Sequence, residues 1–118
     1  MRILIVDDLV ANQRLLTRIL VRLEHESEVA GSGAEALALL AEARFDLVFM
    51  DIQMPMMDGL ETTRRIRSEC TDAVRIIALS GLAGDDARRA CREAGMDGFL
   101  SKPLTIPAII AVLAEHGA

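Results

Sequence analysis

Polar groups suited to chemistry come directly after the apolar runs of this 118-residue chain. Asp7 and Asp8 follow Ile3-Leu4-Ile5-Val6, and Asp51 follows Leu47-Val48-Phe49-Met50. Ser80 follows Ile76-Ile77-Ala78-Leu79, and Ser101-Lys102-Pro103 follows Gly98-Phe99-Leu100. One such Asp by itself could be a turn or helix cap. Three carboxylates, a hydroxyl and a lysine at one edge mean more. Clustered carboxylates repel, so they either take up protons or share a cation. Oxygen ligands without His or Cys select a hard cation, and Mg²⁺ fits best because it accepts a few carboxylates and keeps its waters. Its open positions could hold phosphoryl oxygens, with Lys102 adding a point charge and Ser80 a hydroxyl donor. Such a set is an electrostatic clamp for a transferring phosphoryl group. A carboxylate can also be the nucleophile and form an aspartyl phosphate. Asp51 is the best candidate because it closes the central hydrophobic run, whereas Asp7 and Asp8 come as a metal-holding pair.

For these groups to meet, the apolar runs must be strands lying side by side. Ile3–Val6, Leu47–Met50 and Ile76–Leu79 are continuously apolar rather than alternating, which suits strands buried on both faces. Ser27–Ala30 is a weaker strand and Gly98–Leu100 a short last one. Helical periodicity fills the gaps. Leu16, Ile19, Leu20 and Leu23 share one face. Ser32 and Glu35 form a capping box for a second helix, with Ala36, Leu39, Leu40 and Ala43 inward. Asp58, with Glu61, caps a third whose inward face includes Leu60, Thr63 and Ile66. A fourth, near Asp85–Ala94, buries only Ala87, Ala90, Cys91 and Ala94 and stops at Gly95, a shallow anchor that predicts a mobile helix. A fifth runs from about Ile106 to Glu115, capped by Thr105, with Ile106, Ile109, Ile110 and Leu113 on one side. The mixed charges Arg64, Arg65, Arg67 and Glu69 read as solvated surface. The alternating order predicts an α/β fold with a parallel sheet, helices on both faces and ligands beyond the carboxyl ends of the strands.

Composition excludes several classes. At 52% hydrophobic and 26% charged, the chain is globular and fits one domain over residues 1–118. With a net charge of −5, no Trp and no Tyr, it lacks the basic and aromatic surface that nucleic-acid binding uses. No apolar run reaches the ~18 residues of a membrane span, so no membrane contact is expected. No cleavage site follows Met1, and Cys70 and Cys91 read as two reduced thiols, so the expected compartment is the cytoplasm. His25 and His116 read as surface residues away from the strand ends, and neither as a phosphodonor.

The ordered set Ile3–Asp8, Met50–Gly59, Ser80 and Ser101-Lys102-Pro103 resembles the receiver domain of two-component response regulators over essentially the whole chain. The resemblance implies a flavodoxin-like, doubly wound five-stranded parallel sheet of order 2-1-3-4-5 with five helices on both faces. It implies that Asp51 is the phosphoacceptor and that Mg²⁺ is held by Asp7, Asp8, Asp51 and the main-chain carbonyl of Gln53. Lys102 would pair with the phosphoryl group. Ser80 and Phe99 would be the switch hydroxyl and switch aromatic, with Gly81 leaving room for the ring. The implied donor is a phosphohistidine on a histidine kinase or histidine phosphotransfer protein, and the output is a partner or domain that the sequence does not name. Such a domain promotes only its own phosphoryl transfer and dephosphorylation. Gln53 and Leu82 occupy positions that tune phosphoryl lifetime. Leu9 departs from a position often polar and adds an apolar group at the docking edge. Ala11–Leu16 and Met50–Pro55 look most like receivers of hybrid sensor kinases and phosphorelays, which puts partner docking on the first helix and nearby loops. In this family the bond before Pro103 is often cis; the sequence leaves both isomers open.

Three rivals make different demands. A flavodoxin-like electron carrier needs a Ser/Thr/Gly phosphate loop and flanking aromatics, where this chain has Asp7-Asp8-Leu9. A Mg²⁺-dependent phosphohydrolase usually carries Asp-x-Asp after its first strand and needs room for a substrate cap. A receiver degenerated to a binding module would lack Asp51 or Lys102, and both are present.

Overall fold

Apolar runs without alternation need cover on both faces, and the chain supplies it. The computed structural model describes residues 1–70, 73–82 and 84–117. Its strands are β1 (Arg2–Val6), β2 (Glu26–Ala30), β3 (Leu47–Asp51), β4 (Arg75–Ser80) and β5 (Gly98–Ser101). Between and after them come α1 (Val10–Arg22), α2 (Gly33–Glu42), α3 (Gly59–Glu69), α4 (Asp85–Ala94) and α5 (Ile106–His116). All strand pairs are parallel, in the order β2-β1-β3-β4-β5. Each apolar run serves two cores. Leu4, Val6, Val48, Met50, Ile76 and Ala78 pack with Ala36, Ile66 and Cys91 of α2, α3 and α4. Ile3, Ile5, Leu47, Phe49, Ile77 and Leu79 pack with Leu16, Leu20, Ile109 and Leu113 of α1 and α5. Every residue of β3 is buried, so its end presents a polar group in a desolvated place.

The caps follow the sequence. The Ser32 hydroxyl accepts from the Glu35 N–H, the Asp58 carboxylate from the Glu61 N–H and the Thr105 hydroxyl from the Ala108 N–H. Gly95 ends α4 with φ 108°, a left-handed conformation that favours glycine. The fourth helix buries Cys91 and Ala94, with Ala87 and Ala90 half-buried. Burial also pushes the Cys91 thiol up, which keeps it in the unreactive form.

Four expectations need correction. The inward face of α5 is Ile109, Val112 and Leu113; Ile106 and Ile110 are exposed, because the face packed on the sheet is centred on the Ile109–Val112–Leu113 stripe. In α3, Thr63 and Ile66 are buried and Leu60 packs half-buried against the same core as expected, but Thr62 is buried as well, its hydroxyl bonded back to the Asp58 carbonyl. His25 and His116 are half-buried rather than on the surface: His25 meets the amino terminus at 3.4 Å, and His116 lines a groove beside Gly98 and Phe99. Arg67 is not solvated surface. Its guanidinium donates to the carbonyls of Gly95 (2.9 Å) and Val74 (2.7 Å) and to the Asp97 carboxylate (2.9 Å). That same Asp97 oxygen accepts the Ile76 N–H at 2.9 Å.

One side chain thus ties the ends of α3 and α4 to the start of β4. Arg67→Ala leaves these acceptors unmatched and should cost about 3 kcal/mol, the order expected for charge-assisted hydrogen bonds. Urea unfolding measures this; a loss below about 0.5 kcal/mol would contradict the role, being what an ordinary surface change gives.

Candidate phosphoryl-transfer site

The strand order creates the site. β1 and β3 are neighbours, but their connections leave in opposite directions, to β2 and to β4. A crevice opens at that reversal. Asp7 and Asp8 stand at its β1 side, and Asp51 is the last residue of β3. One carboxylate oxygen from each of the three lies within 4.8 Å of the others. Asp7 is fully buried and Asp51 is 1% exposed, while Asp8 stands nearer solvent. From the end of β5, Lys102 brings its Nζ to 3.2 Å from Asp51 Oδ1 and 3.8 Å from Asp7 Oδ2. The Lys102–Pro103 bond is cis. The Lys102 N–H donates to the Ser80 carbonyl at 2.7 Å, which fixes the β5 end against β4.

The loop after β3 is held tightly. Asp51 Oδ1 accepts the Gln53 N–H at 3.0 Å, and the Gly59 N–H donates to the Ile52 carbonyl at 3.2 Å. A Cβ on Gly59 would be driven into the Asp51 carbonyl, so only glycine lets α3 start this close to the strand end. Met56 sits in this loop with φ 71°, fully exposed. A left-handed non-glycine costs about 1–2 kcal/mol and persists only where its surroundings enforce it.

The two switch candidates make their contacts with other residues than the acid cluster. Ser80 is buried, but its hydroxyl donates to the Leu82 carbonyl and accepts the Leu82 N–H, both at 3.0 Å. It is turned into its own loop. Phe99 is half-buried, with the Arg88 guanidinium 4.6 Å from its ring centroid. Arg88 was not anticipated, since no local pattern links α4 to β5. Nor were Asn12 and Gln13 expected at the site: Asn12 Nδ2 donates to Asp7 Oδ2 at 3.1 Å, and Gln13 Nε2 to the Asp7 carbonyl at 2.6 Å. Their spacing from Asp7, one turn into a helix, was the available signal.

Burial pushes the Asp51 carboxyl above its ordinary value, and the Asp7 charge adds to this; the Gln53 N–H and Lys102 pull the other way. A carboxyl raised in the folded state holds its proton longer than the unfolded chain does. Stability therefore falls as pH rises from the ordinary Asp value through the raised one. In chelator, Asp51→Asn should be more stable than wild type near pH 7. That advantage should shrink as pH falls toward the ordinary Asp range. Thermal unfolding across pH checks this; a constant difference would show that Asp51 ionisation is not the cause.

The comparisons with known proteins agree with this geometry. Residues 3–114 match the family model "Response regulator receiver domain". The osmosensing histidine protein kinase SLN1 of Saccharomyces cerevisiae is 38% identical over 124 residues, covering 99% of this chain and 10% of SLN1. The first curated relatives are mostly hybrid or sensor histidine kinases, of whose length the chain spans only 6–12%. The receiver domain of sensor histidine kinase PA1611 from Pseudomonas aeruginosa superposes with TM-score 0.89 at 32% identity. The match covers 99% of this chain and 98% of that one, and that crystal structure has a magnesium ion coordinated in its active-site cleft. The receiver domain of yeast Ssk1, solved with the histidine phosphotransfer protein Ypd1, matches with TM-score 0.89 at 29% identity, covering 99% of this chain and 88% of that chain. With the acid cluster, the lysine and the sheet order in place, the chain belongs to the response regulator receiver domain family.

Proposed function

We propose that this domain accepts a phosphoryl group on Asp51 from the phosphohistidine of a histidine kinase or histidine phosphotransfer protein. The observation that carries the reading is the convergence of Asp7, Asp8 and Asp51 within 4.8 Å, with Lys102 Nζ 3.2 Å from Asp51. The residues fit Mg²⁺. Their side chains offer only carboxylate oxygens, and the one ammonium group reaches just two of the three acids, so a divalent cation relieves the excess charge. Asp7, Asp8, Asp51 and the Gln53 main-chain carbonyl would hold it. Bound Mg²⁺ supplies charge neutralisation for the phosphoryl oxygens.

In the transfer, an Asp51 carboxylate oxygen forms the new P–O bond. The P–N bond to the donor imidazole breaks, and the imidazole leaves with its electron pair. Lys102 steadies the charge on the phosphoryl oxygens. Water ends the phosphorylated state by hydrolysing the acyl phosphate, which releases inorganic phosphate and restores the Asp51 carboxylate. The domain thus promotes its own phosphorylation and dephosphorylation, with Gln53 and Leu82 placed to tune the rate. Phosphate on Asp51 gives Ser80 a stronger acceptor than the Leu82 carbonyl. Ser80 then turns inward, and Phe99 leaves Arg88 to fill the vacated space beside Gly81. A local charge change in this way biases a two-state element. Leu9, Val10 and Leu15 are exposed at the start of α1, beside the site, and offer the apolar surface for the donor protein. The likeness to hybrid-kinase receivers and to Ssk1 supports this placement.

Incubation with acetyl phosphate should give one phosphoryl adduct by intact-mass spectrometry. It should require Mg²⁺ and be absent from Asp51→Asn. An adduct persisting in that variant would refute Asp51 as sole acceptor. No adduct in wild type, from either acetyl phosphate or a phosphorylated phosphotransfer protein, would overturn the function. Lys102→Ala removes a phosphate contact but no metal ligand. Its labelling should slow on the order of 100-fold, with Mg²⁺ affinity unchanged or higher; weaker Mg²⁺ binding would contradict the assignment.

A further inference from the structure

Asp7 is fully buried, and the first turn of α1 grips it. The Leu9 N–H donates to Oδ1 at 2.9 Å, and Asn12 Nδ2 donates to Oδ2 at 3.1 Å. Gln13 Nε2 holds the Asp7 carbonyl at 2.6 Å. Leu9, the N-cap of α1, has no capping side chain, and the first turn carries no acid. Asp7 stands just before the helix and takes the N–H of the N-cap residue itself. Asn12 and Gln13 are half-buried, turned toward β1 rather than outward on the docking face. An ionised carboxylate is acceptor-only, so the Asn12 amide must present its N–H. As a neutral donor, Asn12 satisfies a buried oxygen without adding a positive charge that would compete with a cation.

We propose that Asn12 is a positioning residue for the cation site, fixing the rotation of the Asp7 carboxylate so that it faces the pocket shared with Asp8 and Asp51. This rests on the reading of those acids as the Mg²⁺ site. The terminal torsion of an Asp side chain is broad. The Leu9 N–H fixes one oxygen, and the second contact, from Asn12, removes the remaining freedom. Mg²⁺ demands near-ideal octahedral geometry, whereas Ca²⁺ accepts irregular, larger shells. A loosened Asp7 therefore costs Mg²⁺ binding more than Ca²⁺ binding.

The test is calorimetric titration of the whole domain with Mg²⁺ and, separately, Ca²⁺. Wild type, Asn12→Leu, Asn12→Ala and Gln13→Ala are compared, with thermal unfolding to establish that each is folded. Leu keeps the size of Asn and suits a helix; Ala serves should Leu crowd the pocket. Loss of a supporting contact to a metal ligand typically costs at least about tenfold in affinity. Mg²⁺ affinity of the folded Asn12 variants should fall by about that factor, and Ca²⁺ affinity by about twofold. Gln13→Ala, which touches only the carbonyl, should keep the wild-type preference between the cations. Equal loss of both cations in the Asn12 variants would make Asn12 merely structural and overturn the proposal, as would Mg²⁺ affinity within about twofold of wild type. Wild type binding neither cation would instead overturn the Mg²⁺ site itself, and this inference with it.

Discussion

Two carboxylates buried side by side, with one ammonium group for both, set the terms for the rest of the structure. Lys102 reaches Asp51 at 3.2 Å and Asp7 at 3.8 Å, and both acids are almost fully withdrawn from solvent. Ionised carboxylates in such a place are costly unless donors or a cation meet them. The chain supplies donors from its backbone at Leu9 and Gln53 and from Asn12. Asp51 still carries a raised pKa. The site therefore holds an excess of negative charge maintained by the fold, and a divalent cation answers it.

What maintains that excess is the depth of the sheet. β3 is buried on both faces, so Asp51 cannot swing out to water without leaving a strand paired on either side. Gly59 lets α3 begin against the Asp51 backbone, and Met56 takes a left-handed conformation in the loop between. These features hold the Asp51 carboxylate in place.

The parts around it are held less firmly. Ser80 is satisfied within its own turn, and Phe99 lies under Arg88, half in solvent. A cation–π contact of this kind is worth only about 0.5–1 kcal/mol. α4 begins at Gly84 without a side-chain cap and is anchored at its far end by Gly95 against Arg67. The rigid end of α4 lies away from the site and the weakly capped end beside it.

The sequence by itself determined which groups could do chemistry and in which layer they lie. Continuous apolar runs require a sheet covered on both faces, and a polar residue ending such a run must emerge at its edge. Asp7, Asp8, Asp51 and Lys102 were therefore legible without coordinates, as were the caps at Ser32, Asp58 and Thr105, because each depends on neighbours a few residues away. The resemblance to receivers added the strand order. Tertiary structure alone decided the contacts between elements distant in sequence. These include Arg67 bridging three backbone segments, Arg88 over Phe99, and the half-burial of His116. It also decided which of two apolar stripes on α5 faces inward, since Ile106 and Ile110 fit the helical period as well as Val112 does. The physical reason is range. Periodicity and capping act within one or two turns and are written locally, whereas the direction of a long side chain is settled by whichever acceptor or ring the packed sheet brings within reach.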